Sequence, residues 1–432
     1  MKKYLLSILL LLPSIGFAGD KLDSGDTAWM MMSAAMVLLM TPAGLALFYG
    51  GMTRSKNVLN SYAMVFVAFT VAFVVWIVAG YSIAFGNGGS MQTIIGGFDN
   101  IFLNGVKWTD LSGTYPTYVF IVFQGTFAAI TVAIASGSVI ERMKFSTWIV
   151  FTAIWTVVVY APIAHMVWGG EGAYLFDAGA LDFAGGTVVH MNGGLAGLVL
   201  AILVGKRKGY PRVAMKPMGI MLTALGGALL WFGWFGFNGG SAFGANAIAG
   251  LAYLTTTLAP AVAALTWIAI EYIVYKKATL LGAVSGVVAG LVAITPAAGF
   301  VDAKGALIIG IFGSVIAFFG VSALKKKLKY DDSLDAFGIH FLAGLWGALA
   351  TGFLALKDND LLWEGPLKAT GDRVGQVMVQ LESILVIGAF TLVGTVVVYY
   401  IASALTSGGR VDEETETIGL DEAIHGERGF NI

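Results

Sequence analysis

Residues 182–197 read DFAGGTVVHMNGGLAG and place His190 inside a run of small and apolar residues. A second stretch, residues 332–347, reads DSLDAFGIHFLAGLWG and repeats the arrangement around His340. In both stretches an aspartate precedes the histidine by eight positions, and small residues follow it at the third, fourth and seventh positions. An ionisable side chain is costly in an apolar run unless it faces a partner or a cavity. We interpret the two stretches as one motif used twice.

The composition around this motif indicates a membrane protein. Of the 432 residues, 57% are hydrophobic and 12% are charged, whereas soluble domains carry about 25% charged residues. The predicted fold class is an all-α polytopic membrane protein. The chain has no cysteine, which excludes disulfides and thiolate metal sites, and its formal net charge of −1 argues against nucleic-acid binding. We expect no cofactor.

Eleven apolar segments follow the N-terminal region. Each is long enough to cross roughly 30 Å of hydrocarbon as a helix. We predict eleven transmembrane helices in one membrane domain at 19–407, followed by a cytoplasmic tail at 408–432 that is either solvated or a regulatory docking segment. The segments lie at 26–49, 60–85, 117–138, 145–166, 185–204, 217–237, 246–274, 279–297, 304–324, 335–356 and 377–405.

The first eighteen residues have the pattern of a secretory signal peptide. Lys2 and Lys3 form a basic start, an apolar core follows at 5–12, and small residues end at Ala18. The alternative is an uncleaved first membrane helix. Cleavage at Ala18 would leave the mature N-terminus outside a bacterial inner membrane.

The distribution of Lys and Arg among the loops predicts the orientation. One set of alternate loops carries fifteen of these residues, and the set that includes the N-terminus carries six. Basic residues concentrate in cytoplasmic loops. The N-terminus is therefore predicted to lie outside and the tail after Ser407 inside.

A second repeated pattern divides the chain into halves. Residues 44–51 and 233–240 both fit G-x-x-x-F-[YN]-G-G, at the ends of the first and sixth segments. With the histidine motif in the fifth and tenth segments, helices one to five correspond to helices six to ten, at about 26–205 and 217–356, and the helix at 377–405 is extra. Because five is odd, the halves have inverted topology, and their site is expected near the midplane.

In this arrangement His190 and His340 approach the centre from opposite faces. Burial disfavours the charged form of an imidazole, so we expect two neutral rings that share one proton between ring nitrogens. Such a pair can pass a small molecule that both donates and accepts hydrogen bonds, such as ammonia or water. His165 has no counterpart in the other half and is interpreted as a packing contact.

Asp182 is about 12 Å of helix away from His190, so the two side chains are not expected to touch. We interpret Asp182 as an N-terminal cap that also lowers the potential for a cation at the outer mouth. Asp332 and Asp335 are its predicted inner equivalents.

Aromatic residues cluster at the predicted outer ends of several helices. Phe123 and Phe127 lie on one face of the third segment, Trp168 ends the fourth, and Phe237 and Ser241 end the sixth. Rings with one hydroxyl can bind a small cation through cation–π contacts. The alternative is that these rings face lipid or pack between helices.

The chain resembles the ammonium transporter (Amt/Mep/Rh) family, and specifically its bacterial Amt branch, from about residue 25 to the C-terminus. The resemblance rests on FYGG at 48–51, DFAGGTVVH at 182–190, GWFGFN at 233–238, DDSLD at 331–335 with His340, and HGE at 425–427.

This resemblance implies a homotrimer with one pore in each subunit, embedded in the lipid bilayer. It implies an outer recruitment site for ammonium or methylammonium, a stacked gate, a histidine pair in the pore, a supporting aspartate, and a tail that contacts PII-type signalling proteins. The residues implied are Phe123, Trp168 and Ser241 (recruitment), Phe127 and Phe237 (gate), His190 and His340 (pore), and Asp182 (support).

We therefore expect ammonium uptake in which ammonium binds outside, loses its proton near the gate and crosses as ammonia, and we expect no enzymatic activity. Three alternative functions remain. They are an ammonium sensor that acts through the tail, an intramembrane hydrolase that uses Asp182 and His190, and a channel for water or carbon dioxide. The helix spacing and the lack of an evident nucleophile disfavour the hydrolase.

Overall fold

The computed structural model describes residues 21–359 and 365–430, so the predicted signal peptide lies outside the described residues. The described chain is predominantly helical, which confirms the all-α class, and ten helices are long and apolar enough to cross a membrane. An eleventh apolar helix is shorter. The helices are Ser24–Met52 (α1), Ser55–Phe85 (α2), Thr117–Ser136 (α3), Phe145–Trp168 (α4), Gly186–Val204 (α5), Ile220–Gly240 (α6), Ala247–Tyr275 (α7), Leu280–Ile294 (α8), Ala303–Leu328 (α9), Phe337–Leu354 (α10) and Arg373–Leu405 (α11).

Helix α8 has 15 residues, so the prediction that every span has about 20 or more is wrong here. Pro296 follows two positions after the helix ends, and its missing N–H cannot continue the backbone ladder. The chain then turns through residues 295–301, most of which are fully buried. Irregular backbone is tolerated at membrane depth when protein surrounds it.

Hydrogen bonds between loops define two faces of the bundle. On one face, the Asp23 N–H donates to the Thr114 carbonyl at 2.8 Å, and the Ala245 N–H donates to the Asp26 carboxylate at 2.7 Å. On the other face, the Val411 N–H of the tail donates to the Arg142 carbonyl at 3.0 Å. We call these the N-terminal face and the tail face. The loops that follow α1, α3, α5 and α9 meet at the tail face. The loops that follow α2, α4, α6, α8 and α10 are joined at the N-terminal face.

The two histidine motifs begin α5 and α10 from these opposite faces. Each helix opens with a π-helical turn, Gly186–Met191 in α5 and Phe337–Phe341 in α10, and each turn carries its histidine. The aspartate of each motif accepts a hydrogen bond from the backbone of its own π-helical turn. Similar turns also occur inside α1, α2, α4 and α9, so a π-helical turn does not by itself mark a site in this chain.

Helix α11 crosses the outside of the bundle obliquely. Gln380 donates to the Ala348 carbonyl of α10 at 2.9 Å, and Thr391 then bonds Asn192 of α5 at 2.8 Å. Further along, Thr395 accepts a hydrogen bond from the Trp155 indole of α4 at 3.0 Å. The helix therefore passes from α10 over α5 to α4 on its way to the tail face.

The tail packs on the tail face through a short helix, α12 (Glu413–Ile418). Leu420 is fully buried, and the Asp421 carboxylate accepts from the backbone N–H groups of Leu59 and Asn60 at 3.0 and 2.8 Å. Asp421 thus caps the first turns of α2 from a distant part of the chain. The alternative of a solvated tail is wrong, because this segment buries an apolar side chain and binds specific backbone groups.

Candidate functional site

His190 and His340 meet in the interior of the bundle, as the repeat predicts. Their Nδ1 atoms are 3.2 Å apart, and the rings are nearly parallel, at 14° with centroids 5.3 Å apart. Two facing ring nitrogens can share only one hydrogen, so one ring donates and the other accepts. The His190 Nε2 atom is buried and has no hydrogen-bond partner in the part of the chain that the structure describes. A ring nitrogen left free in this way can form a hydrogen bond with a small ligand.

The His190 ring packs against Trp234, which lies within the GWFGFN stretch at 233–238 but was given no role from the sequence. The indole stacks on the imidazole at 5.1 Å and 17°. The indole N–H in turn donates to the Thr295 hydroxyl at 2.9 Å. The turn that follows α8 therefore positions the Trp234 indole, and the indole packs against the His190 imidazole.

Phe127 and Phe237 form a stacked pair on the N-terminal side of the histidines. Their ring centroids are 4.1 Å apart at an interplanar angle of 21°. Phe237 also lies 5.7 Å from the His190 ring. Rings this close leave no open space between them.

A cavity of about 330 Å³ lies above the stacked pair, toward the N-terminal face. Its wall includes Phe127, Trp168, Asp182 and Ser241. Trp168 meets Phe127 edge-on at 6.3 Å. The Ser241 hydroxyl donates to the Phe237 carbonyl at 2.9 Å, which leaves the lone pairs of its oxygen for a hydrogen-bond donor.

Phe123 does not line this cavity. It is fully buried at 4.8 Å from Phe127, and Phe120 and Phe243 contribute the rings of the wall instead. Gln124 does line the cavity, although no sequence pattern pointed to it. It is 4% exposed, and its Oε1 atom has no hydrogen-bond partner among the described residues. Of the three recruitment residues that the resemblance implies, Trp168 and Ser241 line the cavity, whereas Phe123 packs behind Phe127.

The Asp182 carboxylate accepts five hydrogen bonds, from the backbone of residues 185–188 and from the Thr187 hydroxyl, at 2.5 to 3.0 Å. Burial raises the pKa of Asp182, and the hydrogen bonds from Thr187 and the backbone oppose that effect. The carboxylate caps α5, and it does not contact His190. It also lines the wall of the cavity.

His165 lies fully buried beside the cavity and ties α4 to the end of α2. Its Nδ1 is 2.9 Å from the Ala84 carbonyl, and its Nε2 is 2.6 Å from the Gln92 carbonyl. Both partners are backbone acceptors, so this side chain has a structural position in the loops that surround the cavity.

A buried ion-pair network joins the loops of the tail face. Glu141 contacts Arg207 at 3.0 Å and accepts from the Arg54 Nε at 3.0 Å, and Arg207 pairs with Asp331 at 2.7 Å. Burial raises the pKa of Glu141, but the attraction of Arg207 and the hydrogen bond from Arg54 outweigh it and lower that pKa overall. The predicted inner aspartates, Asp332 and Asp335, lie beside this network.

The arrangement of cavity, stacked phenyl rings and paired imidazoles can be compared with known proteins. The sequence model of the Ammonium Transporter Family matches residues 28–430, nearly the whole chain. The chain belongs to this family. A relative named ammonium transporter from Aquifex aeolicus is 46% identical over 431 residues, covering 98% of both chains. One of the same name from Bacillus subtilis is 46% identical over 412 residues, covering 95% of this chain and 99% of the relative.

A solved structure of a protein named "Sensor Amt Protein" superimposes on this family member with a TM-score of 0.85. Its identity is 29%, over 93% of this chain and 98% of that one. Ammonium transport by a multi-pass membrane protein is therefore the general function that these likenesses support. The relatives are named as transporters rather than as enzymes.

Proposed function

We propose that this protein takes up ammonium by binding the cation in the cavity at the N-terminal face, removing its proton at the stacked rings, and passing ammonia along the histidine pair. The observation that carries the proposal is the buried, unpartnered Nε2 of His190, on a ring whose centroid lies 5.7 Å from that of Phe237. A neutral solute that donates and accepts hydrogen bonds suits two neutral rings that share one proton.

The cavity offers a cation three kinds of contact. The Trp168 and Phe127 rings supply cation–π attraction of about 0.5–2 kcal/mol. The oxygens of Ser241 and Gln124 accept hydrogen bonds from N–H groups. The buried carboxylate of Asp182 adds a favourable field behind them.

Deprotonation explains the choice of ammonium over potassium. The two cations are of similar size and both suit the cavity. Ammonium can lose its charge before it passes Phe127 and Phe237, whereas potassium would enter an apolar region charged, at a cost of several kcal/mol. Flux through this path therefore requires a proton that can be released.

We infer that the tail face is cytoplasmic in a bacterial inner membrane and that the N-terminal face is outside. The basic loops with Arg54, Arg142 and Arg207 all meet at the tail face, as positively charged loops do on the cytoplasmic side. Removal of residues 1–18 as a signal peptide fits this orientation. The domains proposed are the membrane domain at 19–407 and the tail at 408–432.

We also propose a homotrimer and a PII-type signalling protein at the tail face. Exposed apolar side chains on α1, α6 and α7, such as Met32, Phe232 and Leu265, offer surface for neighbouring subunits. The tail, which is hydrogen-bonded to the start of α2, offers a surface beside the loops proposed to be cytoplasmic. Cross-linking in membranes and co-purification with a PII protein test these two assemblies.

The test of transport uses purified protein in proteoliposomes. We expect saturable uptake of methylammonium, competed by ammonium, with no potassium flux. His190→Leu and His340→Leu should each lower the rate at least tenfold while the protein stays folded. Absence of uptake, or an equal flux of potassium, would reject the proposal, and the current recorded during uptake tells whether charge crosses with the substrate.

Sensing is the second candidate function, because a protein of similar fold is named as a sensor and the tail packs against α2. Removal of the tail after Ser407 separates the two. Uptake that survives while a nitrogen response is lost would favour sensing.

A further inference from the structure

A groove opens on the outside of the bundle between the tail-face ends of α5 and α9, and it encloses about 480 Å³. Its wall is apolar and includes Leu198, Ile202, Leu324, Leu328 and Phe337. Ile202 is 63% exposed and Leu328 is 61% exposed. Because these side chains belong to membrane-spanning helices, the groove faces hydrocarbon.

The oblique course of α11 leaves this groove open. Near the N-terminal face α11 lies on α10, where Gln380 bonds Ala348. At the tail face it has reached the start of α4, where the hydroxyls of Thr406 and Thr147 are 2.6 Å apart. The tail-face ends of α5 and α9 therefore have no helix over them in the part of the chain that the structure describes.

Two lysines stand at the rim of the groove. Lys206 follows the end of α5 and Lys329 follows the end of α9, and both line the groove. Neither ammonium group has a hydrogen-bond or ion-pair partner among the described residues. The nearby Asp331 does not neutralise them, because its carboxylate is already bound by the guanidinium and backbone N–H of Arg207.

We propose that this groove binds one anionic phospholipid of the leaflet at the tail face. An acyl chain would cover the apolar wall, and the phosphate would lie between the ammonium groups of Lys206 and Lys329. Basic pockets between helices at this depth suit anionic head groups. The charge of the rim selects an anionic lipid over a zwitterionic one, whose own ammonium group the lysines repel.

The experiment titrates the detergent-purified full chain with dioleoyl phosphatidylglycerol or dioleoyl phosphatidylcholine and counts bound lipids by native mass spectrometry. The groove variant is Lys206→Gln with Lys329→Gln. The matched control, Lys326→Gln with Lys327→Gln, removes the same charge from the same end of α9, outside the groove. A third variant, Ile202→Trp, fills the apolar wall and leaves both rim charges in place.

We expect tighter binding of phosphatidylglycerol than of phosphatidylcholine. Each rim lysine should contribute about fivefold in affinity, and both together about 25-fold. The control pair should change affinity less than twofold, and Ile202→Trp should weaken binding of both lipids.

Equal affinity for the two lipids, or an equal loss in the control pair, would overturn the proposal. So would glycerol 3-phosphate binding as tightly as the lipid, because the acyl chain would then contribute nothing. A change of oligomeric state in the groove variants would also overturn it, because this face would then be an interface between copies.

Discussion

Replacement of Asp182 by asparagine tests whether its carboxylate stabilises the start of α5 through hydrogen bonds or acts only through its charge. Its Oδ1 accepts from the N–H groups of Gly185 and Gly186, and its Oδ2 accepts from the N–H groups of Thr187 and Val188 and from the Thr187 hydroxyl. An amide keeps one acceptor oxygen and turns an NH₂ donor toward the other set. At least two buried N–H groups therefore lose their acceptor.

The magnitude follows from those lost bonds. Each buried N–H without an acceptor costs about 1–3 kcal/mol, so Asp182→Asn should destabilise the protein by about 2–6 kcal/mol. The assay measures thermal unfolding in detergent by size-exclusion chromatography, together with methylammonium flux per folded molecule in proteoliposomes. Thr187→Val is the matched control, because it removes one hydroxyl hydrogen bond and keeps every backbone contact. We expect it to cause a smaller loss of stability.

The outcome that refutes this reasoning is specific. If the Asp182→Asn protein unfolds at the same temperature as the wild type but no longer transports, the carboxylate acts through its charge in the cavity and the capping account is wrong.

Three further predictions follow from particular contacts. Gln124→Met, which removes a buried acceptor from the cavity wall, should raise the KM for methylammonium about fivefold with an unchanged maximal rate, and a fall in maximal rate alone would contradict this. His165→Ala should lower stability by about 1–3 kcal/mol for each backbone carbonyl that loses an N–H donor, which is one carbonyl for a neutral imidazole, as measured by thermal unfolding at constant pH. Because the pKa of Glu141 in the folded protein is lowered below its ordinary value of 4.5, its pairing stabilises the fold above that pH and is lost as the pH falls through the folded value. The unfolding temperature should therefore drop below pH 4.5, and Glu141→Gln should flatten that drop.

The fold was predictable because the apolar segments and the internal repeat are patterns that extend over many residues. Eleven apolar segments were sufficient to place the helices, and the repeated motif was sufficient to bring His190 and His340 together. The length of α8 was not predicted, because its apolar run continues past Pro296 while its helix does not.

The site was less predictable where a residue has no counterpart in the other half. Trp234 occupies the position matched by Leu45 in the first half, so the repeat gave it no weight. Gln124 stands alone between aromatic residues. The contact of Asp421 with Leu59 spans 362 residues of sequence, and local composition carries no information about such a partner.

The lengths of the helices also determine how the protein responds to its bilayer. Helix α11 has 33 residues and α7 has 29, about 50 and 44 Å of helix against a hydrocarbon layer of about 30 Å. Both are largely exposed in the single chain, α7 in part toward the proposed neighbouring subunits. Hydrophobic mismatch is therefore accommodated by the tilt of the outer helices of the assembly. The short α8 ends inside the protein, so its length does not have to match the thickness of the bilayer. A thicker or thinner bilayer should therefore change the inclination of the outer helices and leave Thr295, Trp234 and the imidazoles in register.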